Sequence, residues 1–362
     1  MTRLLIVDDS ALMRLLLLEI FQAAGDFEVE VARGGAEALA LLHGFAPDVI
    51  TLDVHMPDMD GIACLDRIMV ERPTPVVMIS SLTAEGADET LEAMSLGAID
   101  FVAKPRGAVS IEIEALAPLL VEKVRAASRA RLSLATRLTD RVRLRAAARP
   151  GRSVPPRPAR ATAKRPPEQG GGEGLVVVGT STGGPAALDI LLGGLPASFP
   201  WPVVIAQHMP ASFTGALARR LDRFCALTIV EVAKSQPLLA GHAYIGRGDA
   251  DILISRRGGA LVAVAAPSAP ELHWHPSVDR LVASAMQHVA PERLVGVLLT
   301  GMGNDGAASM AELARMGGHT IAEAEDTAVV WGMPGALVAA GGADHVVALD
   351  GIAGRLKSIV GK

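Results

Sequence analysis

The sequence predicts two α/β domains, each built on a mainly parallel sheet, with a basic linker between them. The chain has 362 residues, a length that fits two or three domains better than one. Half of its residues are hydrophobic and 20% are charged, as is typical of globular proteins. Short apolar runs alternate with helix-like segments on both sides of the linker, a pattern that favours parallel strands connected by helices.

Residues 1–124 form the first predicted domain, a five-stranded parallel sheet covered by helices on both faces. Apolar runs at residues 4–7, 49–52, 76–79 and 101–102 predict strands. Helix-like segments separate the runs, and Gly25 marks the end of one of them. The carboxyl ends of parallel strands share one edge of a sheet. We therefore expect the polar residues that follow these runs to meet there: Asp8, Asp9, Asp53, Ser80 and Lys104.

The side chains predicted at this edge suit metal-assisted phosphoryl transfer. Asp8, Asp9 and Asp53 would repel one another without a cation, and a site made only of oxygen ligands suits Mg²⁺. Asp53 would be the accepting nucleophile, Mg²⁺ would neutralise oxygens of the incoming group, and Lys104 with Ser80 would hold the remaining phosphoryl oxygens. The polarity of loops explains any one of these acids, but it does not explain the whole set.

Three motifs resemble the response-regulator receiver family: VDDS at 7–10, LDVHMPDMDG at 52–61 and VAKP at 102–105. The resemblance implies a flavodoxin-like fold in which a partner histidine kinase phosphorylates Asp53. It implies that Mg²⁺ is held by Asp8, Asp9 and Asp53. It also implies a set of switch residues that respond to the phosphoryl group: Ser80, Lys104 and, at the aromatic switch position, Phe101.

Residues 125–173 differ in character from both flanking regions. They contain 13 Lys or Arg against 3 Asp or Glu, whereas residues 1–124 contain 8 against 21. The first half could extend a helix, and the second half is rich in proline and glycine, as flexible tethers are. The stretch has no aromatic residue that could stack on a base and no helix-turn-helix or zinc-finger spacing. We therefore expect a solvated linker and no specific nucleic-acid partner.

Residues 174–362 form the second predicted domain, a doubly wound and mostly parallel α/β fold. An apolar strand leads into GTSTG at 179–183 and then into a helix, the nucleophile-elbow pattern that exposes a serine at the sheet edge. A phosphate-binding loop competes with this interpretation, but the lysine of a P-loop and the GxGxxG spacing are absent. His208 and Asp305 follow two other apolar runs, so both are expected at the edge that carries Ser181.

These three residue types supply what nucleophilic acyl transfer requires. Ser181 would attack an acyl carbon, His208 would carry its proton, and Asp305 would orient the imidazole. Backbone amides after Ser181 and in the loop 301–303 are candidate oxyanion donors. Simpler explanations remain open: a helix N-cap for the serine, a loop turn for the aspartate and an ordinary buried histidine. HWHPSVD at 273–279 offers a competing zinc site, although its spacing fits no strong metal motif.

Five motifs of this domain resemble the catalytic domain of the chemotaxis protein-glutamate methylesterase family: GTSTGGP at 179–185, QHMP at 207–210, HPSVD at 275–279, LTGMGNDGA at 299–307 and VWGMPGA at 330–336. The resemblance implies hydrolysis of glutamate γ-methyl esters on the cytoplasmic helices of chemoreceptors, with release of methanol, and often deamidation of receptor glutamines. It implies no cofactor in this domain. It assigns the triad to Ser181, His208 and Asp305. It also places Met302 beside the oxyanion site. The other oxyanion and active-site loop candidates come from the backbone argument above: Thr182, Gly301 and Gly303.

Three positions depart from the family pattern. His275 stands where arginine is common, and Glu323 and Ala324 stand where glutamine and aspartate are usual. These departures leave the triad untouched and concern substrate contacts.

The sequence also predicts a cytoplasmic protein without membrane insertion. It has only two cysteines, which suits a reducing compartment. The first ten residues lack the features of a signal peptide, and prolines interrupt the longest uncharged stretch, residues 190–218.

We further expect the unphosphorylated first domain to cover the edge that bears Ser181, and phosphorylation of Asp53 to loosen this cover. A response regulator without enzymatic activity, whose second domain binds a partner, is the competing hypothesis.

Overall fold

The computed structural model describes residues 1–80, 83–104, 109–130 and 174–361. Residues 131–173 lie outside the described residues, and with them the predicted tether and most of the predicted helix extension. No helix in the described part of the chain is both long and apolar enough to cross a membrane.

The first domain contains the predicted five-stranded parallel sheet, in the order β2-β1-β3-β4-β5. Its strands are β1 (Thr2–Val7), β2 (Phe27–Ala32), β3 (Val49–Asp53), β4 (Val76–Ser80) and β5 (Asp100–Ala103). Its helices are α1 (Ala11–Ala24), α2 (Gly35–Gly44), α3 (Gly61–Glu71), α4 (Ala84–Leu96) and α5 (Val109–Ser128). The four apolar runs coincide with β1, β3, β4 and β5. β2 is one of the two edge strands, and it contains no apolar run because exposed Glu28 and Glu30 interrupt it.

Helix α1 shows how local sequence fixes the ends of these elements. The hydroxyl of Ser10 accepts a hydrogen bond from the Met13 amide, and Gly25 ends the helix with φ 78°, a conformation that glycine adopts without strain. Leu17 and Phe21 pack against β1 in the core, and burying each stabilises the fold by roughly 2 kcal/mol. The start of α1 is thereby held beside the acidic residues that follow β1.

The second domain is built on a seven-stranded, fully parallel sheet in the order β15-β14-β13-β6-β7-β10-β8. These strands are β6 (Leu175–Thr180), β7 (Val203–Gln207), β8 (Thr228–Val232), β10 (His242–Gly246), β13 (Leu294–Leu298), β14 (His319–Glu323) and β15 (His345–Val347). The helices are α6 (Gly184–Gly193), α7 (Ala211–Phe224), α8 (Val278–Met286), α9 (Ala307–Arg315), α10 (Met333–Ala339) and α11 (Leu349–Val360), with a 3₁₀ turn at Pro291–Arg293. A small antiparallel sheet, which the sequence analysis did not anticipate, consists of β9 (Gln236–Pro237), β11 (Ala250–Arg257) and β12 (Ala260–Pro267).

Strand β6 lies in the middle of the seven-stranded sheet, between β13 and β7. From β6 the chain first builds one side of the sheet, through β7, β8 and β10, and later returns to build the other side, through β13, β14 and β15. The loops that follow β6, β7 and β13 therefore open beside one another at the topological switch point, where open α/β sheets bind ligands. These loops carry the three predicted triad residues.

The two domains touch through α4 and β5 of the first domain. Helix α4 packs against α6 and α7. The ring of Phe101 in β5 lies against that of Phe213 in α7, with 4.3 Å between the centroids, and both side chains are buried. The contact surface therefore adjoins the turn between β6 and α6.

Candidate functional site

Ser181 lies in the tight turn between β6 and α6, where it is 7% exposed. Its amide donates to the Thr300 carbonyl at 3.0 Å, and its carbonyl accepts from the Gly184 amide at 2.8 Å. Gly183, with φ 80°, occupies the N-cap position of α6. Since Gly183 is the cap residue, the simplest structural explanation for Ser181 does not apply.

His208 and Asp305 form a buried pair at the same edge of the sheet. Nε2 of His208 lies 2.9 Å from Oδ2 of Asp305. The carboxylate also lies at the start of α8, where it accepts from the amides of Val278 at 2.7 Å and Asp279 at 3.0 Å and from the hydroxyl of Ser277 at 3.2 Å. Burial raises the pKa of Asp305, but the bond and charge of His208 and the two amides together hold it below its usual value. Asp305 is therefore an ionised group with a fixed direction.

The other ring nitrogen of His208, Nδ1, is buried and has no hydrogen-bond partner among the described residues. A neutral imidazole that directs Nε2–H at Asp305 leaves Nδ1 as a proton acceptor. In the described hydrogen bonds, the Ser181 hydroxyl and this nitrogen are not joined. Gln207 connects their backbones instead, because its Nε2 donates to the carbonyls of Ser181 at 3.0 Å and His208 at 3.1 Å. This bridging role was not foreseen from the sequence.

The loop after β13 approaches Ser181 closely. A side chain at Gly301 would place its Cβ 2.8 Å from Ser181 Cβ, so only glycine fits there. The Gly301 amide donates to the Val330 carbonyl at 3.0 Å, which removes it from the candidate oxyanion donors. The amides of buried Met302 and of Gly303, which has φ 76°, have no acceptor in the described part of the chain. These two amides remain candidate donors.

Glu323 supports the same loop from below and is fully buried. Its carboxyl accepts from the Thr300 amide at 2.8 Å and from the Thr327 hydroxyl at 3.1 Å. Burial raises the pKa of Glu323 to about 7. Ala324 follows it and donates its amide to the Val347 carbonyl at 2.9 Å. These two departures from the family pattern therefore lie beneath and beside the loop.

The competing zinc site at residues 273–279 does not match the contacts of its histidines. Nδ1 of His275 lies 3.0 Å from Oδ1 of Asp251, and Arg280 bonds the other oxygen of the same carboxylate. The ring of His273 stands edge-on to Trp274, 4.5 Å between centroids. His275 is thus a hydrogen-bond partner of Asp251.

Two hydrogen bonds connect the first domain to the turn that carries Ser181. The Gly183 amide donates to the Ile99 carbonyl at 3.2 Å, and the Thr182 hydroxyl donates to the Asp100 carboxylate. Asp100 is itself paired with Nζ of Lys123 at 2.8 Å. Thr182 is consequently buried, and its hydroxyl is occupied by the first domain.

A second cluster lies at the carboxyl edge of the first sheet. Nζ of Lys104 is 3.0 Å from an oxygen of Asp8 and 2.7 Å from an oxygen of Asp53. Carboxylate oxygens of Asp8, Asp9 and Asp53 lie within 4.8 Å of one another, the only such group of three potential metal ligands in the described residues. The Ser80 hydroxyl, 2.6 Å from that of Thr90, is buried at the end of β4. The structure thus brings together Asp8, Asp9, Asp53 and Lys104, with Asp9 on the exposed side of the cluster.

The electrostatics of this cluster fit a divalent cation. Burial raises the pKa of Asp53, and the hydrogen bond and charge of Lys104 do not fully compensate for it. Burial alone would lower the pKa of Lys104, but Asp53 and Asp8 raise it above its usual value. The crowded carboxylates offer the all-oxygen donor set that Mg²⁺ prefers.

Comparisons with known proteins match both domains. Residues 176–356 match the family model described as CheB methylesterase, and residues 4–114 match the response regulator receiver domain. A protein-glutamate methylesterase/protein-glutamine glutaminase of Rhodopseudomonas palustris is 56% identical over 98% of this chain and 96% of its own length. One of Rhodospirillum rubrum is 51% identical over 99% of this chain and 96% of its own length. The crystal structure of the CheB methylesterase catalytic domain of Thermotoga maritima has a TM-score of 0.50 and 35% identity, covering 51% of this chain and 98% of that domain.

Proposed function

Because this chain belongs to the CheB methylesterase family and carries a receiver domain, we propose that it hydrolyses glutamate γ-methyl esters on chemoreceptors under the control of phosphorylation. The same site would deamidate receptor glutamines, since both reactions are attack at a γ-carbonyl. The observation that carries the proposal is the buried His208–Asp305 pair, whose free Nδ1 lies at the sheet edge that carries Ser181.

The chemistry follows from the direction of the His208 ring. Nδ1 accepts the proton of the Ser181 hydroxyl as Oγ bonds to the γ-carbonyl carbon, and Asp305 stabilises the imidazolium through Nε2–H. The imidazolium then returns the proton to the departing methoxide, which leaves as methanol. Water attacks the acyl-enzyme with the same help and releases glutamate. For a glutamine substrate the leaving group is ammonia.

The developing oxyanion needs donors that point into the site before reaction. The amides of Met302 and Gly303, together with the amide that follows Ser181, are the groups we assign to this task. Deleting one such donor in an enzyme of this type costs about 100-fold to 1000-fold in kcat.

In the receiver domain, Asp53 would accept the phosphoryl group from a histidine kinase, with Mg²⁺ held by Asp8, Asp9 and Asp53. Mg²⁺ would neutralise phosphoryl oxygens, and Lys104 and Ser80 would contact the others. The receptor and kinase partners place the protein in the cytoplasm. We assign residues 1–124 to the receiver domain, 125–173 to the linker and 174–362 to the catalytic domain.

Regulation would run through the contact between the domains. Asp100 and Ile99 of the receiver domain accept hydrogen bonds from the turn at Ser181. The next residue, Phe101, packs on Phe213 of the catalytic domain. A rearrangement of Lys104 and Phe101 on phosphorylation would therefore loosen the segment that closes the turn.

Methanol release from methylated receptor membranes tests the proposal. We expect the full chain to release methanol, and to do so faster with acetyl phosphate and Mg²⁺ than without. Ser181→Ala should abolish release while its Asp53 still takes up phosphate. A wild-type chain that binds receptors but releases no methanol with or without the phosphodonor would instead support a non-enzymatic regulator.

A further inference from the structure

Trp274 lies over the His208 ring, although the sequence analysis gave it no role. The two rings are nearly parallel, at 8°, and their centroids are 5.4 Å apart. The side chain of His208 is 4% exposed, and Trp274 is half-buried. Trp274 therefore covers one face of the imidazole.

The indole nitrogen of Trp274 lies beside Gly303, in the loop that holds the candidate oxyanion donors. A Cβ built on Gly303 would meet Nε1 of Trp274 at 3.4 Å. In the described part of the chain, this N–H has no hydrogen-bond acceptor. Trp331 differs, because its Nε1 donates a hydrogen bond to the Glu323 carbonyl at 2.9 Å, a contact within the fold. A half-exposed indole N–H without an acceptor is suited to a ligand, because a tryptophan buried in an interface or site usually finds a partner for this group.

The ring is held in place from two sides. His208 stacks on its face, and His273 stands edge-on to it at 89°. Gly303 lies beside the nitrogen, and any larger residue there would contact the indole. The direction of the N–H is thus largely fixed before substrate binds, which is the condition for a donor to favour a transition state.

We propose that Trp274 contacts the substrate and that its Nε1–H donates a hydrogen bond to the γ-carbonyl oxygen of the bound glutamyl ester. This inference rests on the proposed function and adds a side-chain donor to the backbone amides of Met302 and Gly303. The bond strengthens as the carbonyl oxygen becomes an oxyanion. Its loss should therefore lower kcat more than it raises KM.

Trp274→Phe tests the proposal, because phenylalanine keeps a ring over His208 and removes only the donor. With the full chain, acetyl phosphate and methylated receptor membranes, we expect kcat to fall about tenfold. KM and the acid limb of the pH profile of kcat/KM should not change. Trp201→Phe makes the same chemical change at the opposite end of β7, where it should leave kcat within about twofold.

The proposal would be overturned if Trp274→Phe had the same kcat as wild type. It would also be overturned if kcat fell and the acid limb of the pH profile shifted, because the substitution would then act through His208. Trp274→Leu removes both ring and donor, and it should lose at least as much activity as Trp274→Phe; a fully active Leu variant would overturn the proposal as well. Inactive wild type would instead refute the proposed function.

Discussion

Asp53 in the first domain and Asp305 in the second occupy equivalent positions, but their pKa values are shifted in opposite directions. Asp53 and Asp305 both lie at the carboxyl edge of a parallel sheet, and burial raises the pKa of each. Asp53 shares one cation, Lys104, with Asp8, and its pKa stays above its usual value. Asp305 accepts from two amides at the start of α8, from Ser277 and from His208, and its pKa falls below its usual value.

The difference lies in how the donors are supplied. Backbone amides at a helix start are fixed by the fold and belong to one acceptor, and the helix dipole adds to their effect. A lysine side chain can move, and here it is divided between two carboxylates. The surroundings of Asp305 thus keep its carboxylate ionised and in one orientation. At Asp53, by contrast, an additional cation would stabilise the ionised carboxylate.

The strongest way to break this comparison is to remove the charge from each aspartate in turn. Asp305→Asn keeps the size of the side chain but presents the wrong partner to Nε2 of His208, and we expect kcat to fall by about 1000-fold to 10,000-fold. Asp53→Asn should leave the rate without phosphodonor unchanged and abolish its increase with acetyl phosphate. Initial rates of methanol release measure both.

If Asp305→Asn retained more than a tenth of the wild-type kcat, the orienting role of Asp305 would be wrong. Circular dichroism of both variants serves as the control, because the Asp305 variant also weakens the start of α8. A loss of helical signal would assign its effect to folding.

Glu323 sharpens the comparison, since it is a buried carboxyl that accepts two hydrogen bonds and has no cation partner among the described residues. Its pKa rises from 4.5 to about 7, so the folded chain binds more protons than the unfolded chain between these values. The free energy of unfolding should therefore fall as the pH rises through this window, by about 3 kcal/mol in all. Glu323→Gln removes this fall, because an amide stays neutral.

Denaturant unfolding at about pH 5 and pH 8 measures this effect. Relative to wild type, Glu323→Gln should gain stability at the higher pH, and Glu292→Gln, an exposed glutamate of the same domain, should follow the wild-type curve. Parallel pH dependence of all three chains would show that Glu323 does not hold its proton in the folded state.

The sequence predicted both edges because their residues follow strands, and parallel strands end at one edge. This reasoning needs only local patterns, and it located the carboxylates of the acidic cluster as well as Ser181, His208 and Asp305. It missed β2, whose charged residues face solvent. It also missed the hairpin of β11 and β12, although Gly258 and Gly259, with φ 56° and 83°, are the residue pair that favours a tight hairpin turn.

The groups that tune each site are not visible in local patterns. Trp274 reaches His208, and Asp100 reaches Thr182, across separations in sequence that no periodicity connects. The amides that hold Asp305 belong to α8, and amides carry no residue-specific signal. A family motif at 275–279 marked that segment without revealing that its backbone serves Asp305.

The smallest predicted effect concerns the contact that joins the two edges. Asp100→Asn weakens the acceptor of the Thr182 hydroxyl and removes the charge paired with Lys123. A loss of about 1 kcal/mol in this contact should raise methanol release without phosphodonor about fivefold, and leave the phosphorylated rate unchanged. Asp88→Asn alters another pair between the domains, an exposed one 3.9 Å from Arg219, and should change the rate little. If both variants matched the wild-type rate without phosphodonor, the first domain would not restrain Ser181 through Asp100, and the two edges would act independently.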